Sequence, residues 1–148
     1  VRMHIVDSLS KGWINPQLEG IPSEQQKILT DAIPLIIKNI SELYEQEVWS
    51  VKRSYLLLLG AIGERSTQLS EEMIGGIVTI IEKSQEENKF TQVKLGGLEA
   101  LEYVLRGENK GIMKSLFSER IKKVLNQAAL DTQPLILEFI GKLNHLTL

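Results

Sequence analysis

The feature that most constrains this chain is a phrase that returns: a valine, a basic residue, then apolar positions at helical spacing. It occurs as Val1-Arg2, Val51-Lys52 and Val93-Lys94. Behind these pairs the positions align: Ile5 with Tyr55 and Gly97, Val6 with Leu56 and Leu98, Leu9 with Leu59 and Leu101, at offsets of 50 and 42 residues. A short amphipathic unit cannot bury its apolar stripe alone. Repeated about every 40 residues, it buries that stripe against copies of itself. The expectation is an all-α fold, an α-solenoid of antiparallel helix pairs with about three and a half repeats in one domain, residues 1–148.

A second register supports the first. Ser23 opens a helix with Gln26 placed for a capping box, and its stripe runs through Ile28, Leu29, Ala32, Ile33, Ile36, Ile37, Ile40 and Leu43. Pro34 falls inside this stripe and is expected to bend the helix without ending it. Ser70, followed by Glu71 and Glu72, caps another helix carrying Met73, Ile74, Ile77, Ile80 and Ile81. Ile33, Ile36 and Ile37 match Ile77, Ile80 and Ile81 at an offset of 44. These are outer helices; the valine–basic phrase opens the inner ones, about 48–65 and 90–106, the latter stopped by Gly107. In the last unit Asn109 is expected to cap a helix through Leu125, and Asp131 a final helix with Pro134 in its first turn. Leu137, Ile140 and Leu143 continue the interior series. Thr132-Gln133 replaces the valine–basic pair, as a terminal capping unit would. At the other end a helical stripe from Val1 to Trp13 precedes a loop at 12–22, so the chain reads as a fragment of a longer array.

Composition excludes several classes of function. The net charge is −2, which disfavours nucleic acid as the main partner. There is no cysteine, and His4 and His145 lie at opposite ends, so no metal constellation is expected. No apolar run approaches the roughly 20 residues of a bilayer span. Ser8 and Lys11 form an S-x-x-K string of the kind expected by chance, and Gly75-Gly76 lacks the flanking elements of a phosphate loop. The chain is expected to be no enzyme and to hold no cofactor and no small-molecule substrate.

With these residues in view, the chain resembles the HEAT/armadillo superfamily. Arg2, Lys52 and Lys94 match the basic position of its inner-helix motif. Glu47 and Glu87 stand near where the family often carries an aspartate, four and six residues before the valine. The resemblance implies a protein-binding scaffold or adaptor in the cytoplasm or nucleus. The irregular repeat length is similar to that of very large eukaryotic scaffolds of the superfamily, which implies a proteasome-associated role. Two alternatives are a nuclear transport receptor segment that binds cargo or a small GTPase, and a helical-repeat enzyme acting on nucleic acid, which the net charge opposes.

The candidate partner-binding residues are Lys110, Lys114, Arg120, Lys122 and Lys123, a basic run suited to an acidic partner, and Trp49, an aromatic anchor at a turn. Against these stand plainer readings: a solvated helix face for the lysines and a core edge for Trp49. The ladder Arg2, Lys52 and Lys94 is expected to order the stack rather than bind phosphate. Each glycine of Gly75-Gly76 and Gly96-Gly97 costs about 1 kcal/mol against alanine in a helix, so close helix approach is expected there, with a flexible point in the solenoid as the alternative.

Overall fold

A computed structural model describes residues 23–66 and 69–147. Seven α-helices follow in order: α1 (Ser23–Leu43), α2 (Trp49–Arg65), α3 (Glu71–Ser84), α4 (Thr91–Arg106), α5 (Lys110–Leu116), α6 (Ser118–Ala129) and α7 (Pro134–Thr147). A single 3-10 turn, Tyr44–Gln46, joins α1 to α2. No strand occurs among the described residues, in keeping with an all-α fold. The expected helix at 1–13 and loop at 12–22 lie outside the described residues, as do Arg2, His4 and Trp13.

Local chemistry sets the helix limits. Ser70 Oγ accepts the Met73 N–H at 3.2 Å, and Glu71 and Glu72 occupy the first turn, where the helix dipole favours carboxylates. Pro34 lies on the exposed side of α1, and the buried stripe Ile33, Ile37 and Ile40 continues past it.

Alternate helices pack together. One row is α2 on α4 on α7; the other is α1 on α3 on α6. The rows meet where α3 packs on α4 and α6 on α7. Leu56, Leu58, Leu59 and Ile62 of α2 and Leu98, Leu101 and Val104 of α4 are buried in one continuous core. Burying each of these side chains stabilises the fold by about 1.5–3 kcal/mol. Small residues bring α2 and α4 close. A Cβ on Gly60 would lie 2.8 Å from Ala100 Cα, and one on Gly63 2.5 Å from Val104 Cγ2. Among the described residues, the side-chain hydrogen bonds joining sequence-distant helices span between 37 and 46 residues.

Four expectations are corrected. The helix expected from Asn109 through Leu125 is two, α5 and α6, broken at Phe117 (φ −117°, ψ 12°). The break seats the buried Phe117 ring beside Gly75, 3.7 Å from where a Cβ would stand. Asn109 does not cap its own helix. Its Nδ2 donates to Gly63 O at 2.7 Å and Ser66 O at 2.8 Å, closing the C-terminal end of α2, where carbonyls lack helical partners. Gly107 stops α4 as expected, standing at its C-cap with an extended backbone, φ −92°. A glycine fits there because a Cβ would press on the Glu64 backbone, 2.7 Å from its carbonyl carbon, where Glu108 N–H donates to Glu64 O at 2.9 Å. Asp131 stands three residues before α7 and accepts the Gln133 N–H, while Gln133 O receives the first helical N–H groups, from Ile136 and Leu137. Finally, Leu137 is 45 % exposed instead of interior, and Leu130 and Leu135 are exposed with it.

Candidate interaction surfaces

Lys52 and Lys94, the described basic residues of the repeated phrase, each meet a partner within the chain. Lys94 Nζ donates to Asp131 Oδ2 at 2.8 Å, joining the start of α4 to the turn before α7. This bond, with the Gln133 N–H on the other oxygen, holds the Asp131 carboxyl below its ordinary range. The Lys52 ammonium lies 5.2 Å from the Tyr44 ring centre, a cation–π contact across the turn between α1 and α2. Burial, with Glu45, Glu87 and Glu86 nearby, pushes the Tyr44 hydroxyl well above its usual range. Lys52 and Lys94 therefore each have an intramolecular partner.

The basic run on α5 and α6 divides. Arg120 grips Glu82 with two guanidinium nitrogens, one of them 3.1 Å from Oε2, and donates to Thr79 Oγ1 at 3.0 Å. Its guanidinium also lies 5.6 Å from the Phe117 ring centre. This residue ties α6 to α3. Lys122 lies 3.5 Å from Glu119 one turn away, a pair both of whose side chains are mostly in solvent and which contributes little. Lys110, Lys114 and Lys123 are exposed, with Leu116 exposed beside them in sequence.

Trp49 is 37 % exposed and stacks on Phe90, with ring centroids 5.5 Å apart at an interplanar angle of 22°. Val48, the residue before it, is 64 % exposed. Val48 and Phe90 are the N-caps of α2 and α4, and neither helix start has a side-chain acceptor. An apolar N-cap gives up about 1 kcal/mol relative to serine or aspartate. The turns before the two helices carry Glu45, Glu47, Glu86 and Glu87 against Lys89 alone. Phe90 does not stand out in the sequence as a site residue, because a lone aromatic before a helix reads as core.

A buried polar node was likewise not legible. Gln85 Nε2 donates to Ser84 Oγ at 2.9 Å and Lys94 O at 3.0 Å, and Gln127 Nε2 reaches Gln85 O at 3.3 Å. Gly97 makes room for it: a Cβ there would strike Ser84 Oγ and stand 2.8 Å from Gln85 Nε2. Of the four helical glycines expected to allow close approach, Gly97 does so most tightly, and Gly76 would meet only the end of the Ile37 side chain, at 2.9 Å. Gly96 would meet Arg53 Cγ at 3.3 Å, and Gly75 has ordinary room.

Among the described residues no cluster of three or more His, Asp or Glu is placed to hold a metal ion, and no helix is long and apolar enough to cross a membrane. Comparison of the chain with protein families, with curated proteins and with solved structures finds no match.

Proposed function

We propose that the chain is an α-solenoid of HEAT/armadillo type that works as a non-enzymatic scaffold, holding another protein along its surface. The observation that carries this reading is the spacing of its contacts. Side-chain bonds between distant helices span 37 to 46 residues, near the period of the sequence repeat. Contacts that span one period are those a unit makes with its neighbour, the packing rule of a stacked array. Such an array exposes much surface for its length, and its chemistry lies in side chains on that surface. The exposed lysines Lys110, Lys114 and Lys123 offer an acidic partner one place to bind, and the ledge at Val48, Trp49 and Phe90 offers a second, apolar one.

Two measurements test the reading. In solution scattering, a compact domain of this length has a radius of gyration of about 15 Å. A clearly larger value is expected of a stack, and a value at the compact limit overturns it. For the scaffold role, a photo-crosslinking residue is placed in turn at Val48, Lys114 and Lys123 in cells. A discrete protein adduct from at least one position, lost when that surface is charge-reversed, is expected. No adduct from any of them counts against the scaffold reading.

A further inference from the structure

The exposed apolar ledge at the starts of α2 and α4 is the feature that the packing of the chain does not explain. Its floor is the Trp49–Phe90 stack, and its lip is Val48, which leaves nearly two-thirds of its surface in water. Adjacent units supply the two halves of the stack, so the ledge exists only where both are in place. Apolar residues at both N-caps forgo the side-chain acceptor that would stabilise each helix start, and leave an apolar surface instead.

The surroundings of the ledge select a sign of charge. Four carboxylates, Glu45, Glu47, Glu86 and Glu87, stand in the two turns that border it, with one lysine, Lys89, which lies 5.4 Å from the Phe90 ring centre. Lys83 is drawn to Glu45 at 3.7 Å and Lys52 to the Tyr44 ring. The two helix starts add roughly half a positive charge each, which does not reverse the balance of the turns. Glu86 is exposed and Glu87 half-buried, and neither forms an ion pair with the described residues.

We propose that this ledge docks a basic peptide segment. An aliphatic or aromatic side chain of the segment seats on Val48 and the Trp49–Phe90 stack, and its flanking Lys or Arg residues meet Glu86 and Glu87. This combines an apolar anchor with a charged rim, as in protein-binding surfaces generally. The proposal rests on the scaffold reading above and names the partner chemistry of one of its two surfaces.

The test uses the full chain carrying Trp13→Phe, so that Trp49 is the sole source of tryptophan emission. The probes are a synthetic twelve-residue peptide of alternating Arg and Leu and its counterpart with Glu in place of Arg. Saturable binding of the Arg–Leu peptide, read as a shift in Trp49 emission, is expected, with no saturable binding of the Glu–Leu peptide. Glu86→Lys with Glu87→Lys is expected to weaken binding by about tenfold or more, and Val48→Ser by a smaller factor. These surface changes leave the core intact; circular dichroism confirms folding. Leu130→Ser, a charge-neutral change at an exposed apolar residue outside the ledge, leaves binding unchanged. Equal binding by the Glu86/Glu87 double variant, tighter binding of the Glu–Leu peptide, or no saturation by about 1 mM overturns the proposal. If the ledge fails while crosslinks at Lys114 or Lys123 still report a partner, the scaffold reading survives without it. If every position is silent, both fall.

Discussion

Leu98 and Leu137 hold the same place in the repeated pattern, three residues before the apolar residues Leu101 and Ile140. Leu98 is fully buried; Leu137 is 45 % exposed. Gly60 and Gly141 repeat the contrast. Each follows the mid-helix apolar residue of its unit, Leu59 or Ile140. A Cβ at Gly60 would meet the Ala100 backbone, whereas at Gly141 nothing stands within 4 Å. The helices differ in their neighbours. Helix α4 is packed by α2 on one side and by α7 on the other, with α3 behind it, whereas α7 is packed by α4 and α6. The amphipathic pattern fixes which face of a helix points to its own pair. What covers the flank depends on the helix packed there, so one register is core in α4 and surface in α7.

The sharpest way to break this comparison is a matched pair of truncations. Leu98→Ala is expected to cost about 3–4 kcal/mol, because it opens a cavity among fully buried neighbours. Leu137→Ala is expected to cost less than about 1 kcal/mol, because much of that side chain already faces water. Urea unfolding of the two variants measures both. Equal losses would mean that α7 is covered in solution as fully as α4.

The close approach of α2 to α4 offers the next largest effect. At Gly60 an alanine methyl would press on Ala100 Cα, part of the backbone, and on Tyr103 Cδ2 at 3.1 Å. Neither yields easily, so the helices must separate. Overpacking of this kind costs about 1–3 kcal/mol, and the better helix propensity of alanine returns under 1. Gly60→Ala is therefore expected to lower stability by about 1–2 kcal/mol, read as a drop in the urea midpoint with an unchanged slope.

The Lys94–Asp131 bond, which ties the well-packed region to the open one, gives a smaller effect with a pH signature. The Asp131 carboxyl is held below its ordinary value in the folded chain. Its contribution is therefore fully present above the unfolded carboxyl value of about 3.9 and is lost as pH falls through the lowered folded value. Asp131→Asn is expected to cost about 1 kcal/mol at pH 6, a modest figure because solvent still screens the pair. The difference from the parent chain should shrink below about pH 4, where the parent also loses the charge. A difference that stays constant from pH 6 to pH 3 would mean that the bond contributes nothing as an ion pair.

The helical order was legible because the 3.6-residue stripe and the caps are local. Ser70 with Glu71 and Glu72 starts α3 as expected, and the limits of α2 and α4 fall within a residue of expectation. Contacts between units were less so. Asn109 reads as a cap for the helix that follows it, yet it serves the end of α2, 43 and 46 residues earlier. Gly107 reads as a stop and does end α4, but its second role, room for the Glu64 backbone, does not show in the sequence. Arg120 reads as one more surface cation among lysines, and only the structure shows Glu82 beneath it. In the Trp49–Phe90 pair the sequence marked one ring, because its partner enters from the neighbouring unit. Spacing within a segment names its own face, and it is silent on which side chain of the next segment arrives there.

The smallest expected effect has the opposite sign and isolates stacking from helix propensity. Gly141 lies inside α7, where glycine costs up to about 1 kcal/mol relative to alanine through its unfolded-state freedom. With no atom within 4 Å, an added methyl meets no neighbour. Gly141→Ala is therefore expected to stabilise the chain by about 0.5–1 kcal/mol, raising the urea midpoint, where the same change at Gly60 lowers it. Because the chemical change is identical and both residues are helical, the difference between the two shifts reports the cost of crowding at the α2–α4 contact alone. If Gly141→Ala destabilised the chain as much as Gly60→Ala, the flank of α7 would be in contact in solution, and the contrast between the two regions would fail.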